Sequence, residues 1–82
     1  MSYYVYMLKS LDKKKVTYVG FTSDIKKRIN LHNKGKGAKF TRGRKWKLIY
    51  KEKFSSKKEA ILREYYIKKN RLLRNKIKNK YL

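Results

Sequence analysis

Two short aromatic and β-branched runs leave this chain few architectures: Tyr3-Tyr4-Val5-Tyr6-Met7-Leu8 and Val16-Thr17-Tyr18-Val19-Gly20-Phe21. Neither carries a charge, in a sequence where charged residues make up 38%. Runs of this kind suit strands, the first a central one buried on both faces. Between them Ser10-Leu11-Asp12-Lys13-Lys14-Lys15 is polar and holds an aspartate, so a hairpin connection is expected. Side chains alternate along a strand, which puts Tyr4 with Tyr6 on one face and Tyr18 with Gly20 on one face of its partner. The hairpin can therefore present phenol groups side by side, with a glycine leaving room for close approach to the backbone. Half-buried tyrosines are ordinary strand residues, so the hairpin alone defines no site.

The core that this hairpin can build is small. Eighty-two residues are expected to form a single domain spanning 1–82, and a chain of that size buries only ~60–65% of its unfolded surface. Cysteine is absent, which excludes disulfides and thiolate metal sites. The longest apolar run is far too short to span a membrane. No charged-then-apolar N-terminal pattern marks a secretory signal, so cytoplasmic residence is the default expectation.

Twenty-six Lys and Arg face five Asp and Glu, a formal net charge of +21. No fold needs this charge, and self-repulsion opposes it. A polyanionic partner explains it: DNA, RNA or, less well, an anionic membrane. Membrane binding would require an open apolar helix face, and here the apolar residues are needed for the core.

Along the chain, Thr22-Ser23-Asp24 reads as a helix start with Asp24 in the first turn. The helix is expected to run from Asp24 to about Lys34, docking Ile25 and Ile29 on the sheet. Arg28 and His32, four apart, neighbour one another at the margin of that docked face. Gly35 to Arg44 reads as a basic loop. Lys36, Lys39, Thr41, Arg42 and Arg44 are its candidate nucleic-acid contacts, as glycine-freed amides, a hydroxyl and cations grip phosphate.

A third strand, Trp46 to Phe54, is expected at a sheet edge because Lys47, Lys51 and Lys53 discourage edge pairing. Trp46, Leu48, Tyr50 and Glu52 should face one way, with Ile49 breaking the alternation. Ser56-Lys57-Lys58-Glu59 reads as a capping box opening a helix through Lys69. Asn70-Arg71 marks a break at a left-handed cap, followed by a short helix with Leu73 and Ile77 on one face.

With only five acids, each can be assigned a role. Asp12 sits in the hairpin turn, Asp24 in a first helical turn, Glu52 among strand lysines, and Glu59 in the capping box. Glu64 lacks such a role. With Ala60 at the origin of a helical wheel it falls near about 40°, in the middle of the face that should dock on the sheet. A buried carboxylate must be paired, protonated or bound to a cation. Two readings stand: an ion pair with Arg28, or a Mg²⁺ or Mn²⁺ ligand, since such cations often need only one or two carboxylates plus substrate phosphate.

The series Tyr4-Val5-Tyr6, Tyr18-Val19-Gly20, Arg28, His32-Asn33 and Glu64 resembles the GIY-YIG nuclease domain over essentially the whole chain. The stretches Gly37-Ala38-Lys39-Phe40-Thr41-Arg42-Gly43-Arg44 and Ser56 to Lys68 resemble the small stand-alone YhbQ/YazA-like, or UPF0213, group. Tyr4 replaces the first glycine of the family's motif, and valine stands for isoleucine at positions 5 and 19.

The resemblance implies an α+β fold, a three-stranded antiparallel sheet flanked by helices in the order ββαβαα. It also implies phosphodiester hydrolysis with one divalent metal, Mg²⁺ or Mn²⁺. By position it assigns catalytic roles to Tyr6, Tyr18, Arg28, His32 and Glu64, with Glu64 holding the metal. A further asparagine is implied, with Asn70, Asn75 and Asn79 as candidates.

Tyr6 is the candidate general base, its phenolate favoured by nearby cations. His32 is the competing base. The expected function is a metal-dependent DNA endonuclease, with DNA favoured over RNA. The alternatives are a nucleic-acid-binding module with this fold and little or no cleavage, or a ribosomal-type RNA-binding protein. A chain this short is expected to leave no room for a separate specificity domain, so weak, shape-directed recognition or a targeting partner protein is anticipated.

Overall fold

Four consecutive residues of the first strand, Val5 to Leu8, are at most 1% exposed, and the rest of the molecule is packed around them. The computed structural model describes residues 2–80. Its elements are β1 (Tyr3–Ser10), β2 (Thr17–Thr22), α1 (Ile25–Asn33), β3 (Trp46–Phe54), α2 (Lys57–Lys69) and α3 (Arg71–Lys80). One turn of 3-10 helix, Lys39–Thr41, lies in the loop between α1 and β3. The sheet is antiparallel in the order β2-β1-β3, so the strand opening with the Tyr3–Leu8 run is central and the lysine-rich strand is an edge. This is the α+β arrangement ββαβαα that was expected.

The period of two divides β1 between two cores. Val5 and Met7 pack with Val19, Ile49, Ala60, Ile67 and Ile77, under α2 and α3. Tyr6 and Leu8 pack with Trp46 and, less deeply, with Ile25 and Ile29 of α1. Leu73 and Ile77 of α3 lie on the buried side as expected.

The broken alternation in β3 is a bulge. Register passes from Met7 opposite Tyr50 to Leu8 opposite Leu48, leaving Ile49 without a partner. The expectation that Trp46, Leu48, Tyr50 and Glu52 share a face is therefore corrected. Leu48 stays with Trp46, while Ile49 and Tyr50 both turn to the α2 side. Glu52 follows them and accepts from Arg63 Nε at 3.0 Å and Nη2 at 3.2 Å, which ties β3 to α2. The Tyr50 hydroxyl also donates to Glu52.

Helix ends refine the sequence reading. Asp24 is the cap of α1 rather than a first-turn residue, its carboxylate accepting from the Lys27 amide at 3.1 Å. Ser56 caps α2 by accepting from the Glu59 amide at 3.1 Å. Asn70 separates α2 from α3, but not in a left-handed conformation. Its φ is −107°, and its side-chain oxygen caps α3 by accepting from the Leu73 amide at 3.0 Å. Asp12 holds the hairpin turn and pairs with Arg44, while the Leu11 amide donates to the Lys45 carbonyl at 2.9 Å. The hairpin is thereby fastened to the segment leading into β3. Asn33 fastens its other side, accepting from the Trp46 amide at 2.6 Å.

Ile67 is fully buried against β1. Truncation to alanine leaves a cavity between α2 and the sheet. Ile67→Ala should lower unfolding free energy by about 2–5 kcal/mol, read as a lower denaturation midpoint at unchanged slope.

Candidate active site

Tyr6 lies at the middle of β1, directly opposite Gly20 of β2. A Cβ at position 20 would stand 2.6 Å from the Tyr6 hydroxyl and 3.1 Å from the Tyr18 ring. The glycine therefore lets the phenol of Tyr6 lie across β2, so the space it leaves is filled by the chain itself. α1 delivers His32 to the far side of that phenol. His32 Nε2 is 2.8 Å from the Tyr6 hydroxyl, and Nδ1 is 2.9 Å from Thr41 Oγ1. His32 is fully buried rather than marginal. A Cβ at Gly37 would come within 2.3 Å of Nδ1, so close approach of the loop to the ring requires glycine there.

Counting donors orients this chain of bonds. The Thr41 hydroxyl has one proton and directs it to the Ala38 carbonyl at 2.9 Å. It can only accept from His32, so Nδ1 carries the imidazole proton. Nε2 is then a lone pair, and the Tyr6 hydroxyl donates to it. What Tyr6 offers the solvent side is an acceptor whose own proton already has a destination.

Tyr6, Tyr18 and Gly20 form one wall of a cleft of about 510 Å³. Arg28 of α1, Glu64 and Lys57 of α2, and the Thr22-Ser23 turn complete it, with Tyr3 and Phe21 at its margin. The structure thus gathers Tyr6, Tyr18, Arg28 and Glu64 around one space, with His32 behind Tyr6. The Tyr18 and His32 rings are 5.0 Å apart, and those of Tyr6 and Tyr18 6.4 Å.

Three expectations change here. Burial, chiefly, and then Tyr18 raise the Tyr6 phenol well above its ordinary value, Arg28 opposes them, and Glu64 adds to the rise. Tyr6 is a neutral phenol, not a cation-stabilised phenolate. Tyr18 is raised for similar reasons, burial first and Glu64 next. Glu64 does not pair with Arg28. Its side chain is 17% exposed and has Lys68 one turn away at 3.7 Å, a loose contact that leaves it lining the cleft. Thr41 is fully buried and bonded to His32 and Ala38, so it is a support for the histidine and not a phosphate contact.

Of the other loop residues, Lys36, Lys39 and Arg42 are exposed, whereas Arg44 is engaged by Asp12. None of Asn70, Asn75 and Asn79 lines the cleft, and Asn70 is occupied as a helix cap. Lys57 was missed, because nothing in the sequence distinguishes one lysine among so many.

A fold and a cleft of this kind define a nuclease-like module, and comparison with known proteins agrees. The chain belongs to the GIY-YIG family: the profile described as the GIY-YIG catalytic domain matches residues 2–80. Within it the chain falls in the UPF0213 group. A UPF0213 protein of Clostridium perfringens is 55% identical over 80% of this chain and 70% of its own length. One from Bacillus licheniformis is 48% identical over 99% of this chain and 79% of its own. The solution NMR structure of a UPF0213 protein from Bacillus halodurans superposes with a TM-score of 0.58. That protein is 38% identical, covering 99% of this chain and 86% of the other.

Two outcomes test the site's electrostatics. His32 is lowered from its ordinary value, by burial first and then by Arg28. The unfolded chain therefore binds this proton more readily, and stability rises with pH. Its contribution should be fully present above about pH 6.5 and lost as pH falls below that value. The slope of unfolding free energy between about pH 7 and 5.5 should flatten in His32→Gln. Glu64→Gln, removing only a loose helical pair, should change stability by no more than about 0.5 kcal/mol in metal-free buffer.

Proposed function

We propose that this protein is a metal-dependent endonuclease that hydrolyses phosphodiester bonds in DNA. The observation that carries this reading is the Tyr6–His32–Thr41 hydrogen-bond chain, opening onto a cleft whose other walls bear Arg28, Lys57 and Glu64.

Hydrolysis needs a deprotonated water and donors for the charge on phosphorus. Tyr6 accepts the proton of a water in the cleft as its own passes to His32 Nε2. The imidazolium so formed keeps its Nδ1 proton on Thr41. Arg28 holds phosphate oxygens through its fork, with Lys57 adding a second positive charge. Tyr18 orients the water or the phosphate by hydrogen bonding. Lys36, Lys39 and Arg42 contact the flanking backbone.

Glu64 would hold the metal. Among the described residues no group of three or more His, Cys, Asp or Glu could build an all-protein cage. One carboxylate on an open cleft suits a hard cation that keeps most of its waters, Mg²⁺ or Mn²⁺. Bound there, the cation supplies Lewis-acid stabilisation of charge on phosphate oxygens.

Among the described residues no helix is long and apolar enough to cross a membrane, and a polyanion suits the charge of +21. Incubation of supercoiled plasmid with Mg²⁺ or Mn²⁺ should yield nicked product. Tyr6→Phe and Glu64→Ala should each slow nicking by at least about 100-fold while retaining gel-shift binding. Nicking that survives Glu64→Ala overturns the metal assignment. Binding by the unsubstituted protein without nicking in any metal overturns the enzymatic reading in favour of a binding module.

A further inference from the structure

Phe40 is 57% exposed, yet it packs against two other rings. It stacks on Tyr18 with ring centroids 6.2 Å apart and planes 23° from parallel, and leans on Trp46 at 6.3 Å. Its backbone is fastened immediately downstream. Thr41 is fully buried and bonded to His32, and its carbonyl accepts from the Trp46 indole at 3.0 Å. One face of the ring is turned to Tyr18, and the other is free for a partner.

Beside it is a second groove, about 210 Å³, lined by Thr17, Tyr18, Val19, Phe40, Lys68 and Arg74. Tyr18 is shared: it lines the groove and also the larger cleft. Lys68 stands at the same divide, 3.7 Å from Glu64 and 5.9 Å from the centre of the Tyr18 ring. Arg74 is held by donating to the Ile67 and Lys68 carbonyls. An aromatic wall and two cations, one tyrosine away from the cleft, are the elements of a nucleotide seat: a π-face for a base and positive charge for its phosphate. A second copy of this chain is a poor occupant, because it would bring another +21 to the same place.

We propose that this groove seats one unpaired nucleotide of the DNA strand adjoining the bond to be hydrolysed, its base stacked on Phe40. The inference rests on the cleft being where that bond lies. A base inside a duplex has both faces covered by its neighbours and cannot offer one to Phe40, whereas an unpaired base can. The groove therefore selects DNA in which a duplex adjoins a single-stranded arm over fully paired DNA. Selection arises from stacking beside the reacting centre, not from reading base edges.

The test uses the full chain carrying Glu64→Gln, so that binding is read without cleavage. The probes are a blunt duplex and the same duplex with a single-stranded arm, the first unpaired base being 2-aminopurine, at equal salt. The armed probe should bind more tightly, and its fluorescence should be quenched. Adding Phe40→Ala should weaken binding of the armed probe about 10-fold, abolish quenching, and leave the blunt duplex within about twofold. Phe40→Leu, which keeps apolar cover over Tyr18 but cannot stack, should behave like Phe40→Ala, and Phe40→Trp should retain the preference.

Equal loss on both probes, unchanged quenching in Phe40→Ala, or full preference in Phe40→Leu overturns the proposal. Because the readout is binding by a cleavage-impaired protein, plasmid nicking can fail while this preference stands, and the preference can fail while nicking stands.

Discussion

The hydrogen bond from the Tyr6 hydroxyl to His32 Nε2 joins the three parts of the molecule that must agree for a site to exist. Tyr6 comes from the central strand, His32 from α1, and Thr41, behind the histidine, from the loop that leads to the edge strand. All three side chains are at most 1% exposed. Thr41 is anchored in turn by the Ala38 carbonyl, so losing one partner leaves a buried polar atom of its neighbour unpaired in a low-dielectric interior. Gly20 and Gly37 are the spatial conditions for it, one clearing the phenol and the other the imidazole.

Burial explains why the Tyr6–His32 pair is neutral in a chain with such an excess of cations. The positive charge lies on the surface, where solvent screens it, while desolvation acts directly on Tyr6 and His32 and opposes the charged form of each. The two shifts have opposite signs in pKa and the same consequence. The pair is held as phenol and imidazole, with a proton poised between them. Glu64 and Arg28 both line the cleft on the open side of the phenol. Two kinds of surface thus share Tyr18: a polar cleft with a carboxylate, and a smaller aromatic groove with lysine and arginine.

Much of the fold was legible because it depends on local pattern. The uncharged runs marked the paired strands, the lysines of β3 marked an edge, and Asp24, Ser56 and Asn70 marked helix boundaries. Ile49 signalled an irregularity by breaking alternation, but whether the strand bulged or turned depended on its pairing with β1. In the site, Glu64 stood out because a carboxylate on a docking face has no ordinary role. Its neighbour could not be read, since helical geometry offers Lys68 and tertiary packing was needed to rule on Arg28. Thr41 looked like a phosphate contact because it sits among cations. Only its burial against His32 shows otherwise.

By itself, then, the sequence determined the element order, the central and edge strands, the strongly cationic composition and the candidate set Tyr6, Tyr18, Arg28, His32 and Glu64. Each of these follows from period, charge or residue type within a short window, or from a motif series in fixed order. Tertiary structure alone decided the direction of the proton between Tyr6 and His32, the neutrality of both, the support role of Thr41 and the exposure of Phe40 on its stacked partner. Those properties depend on which groups exclude water from which others. Water exclusion is set by residues far apart in the chain, brought together only when the sheet and α1 close over Tyr6.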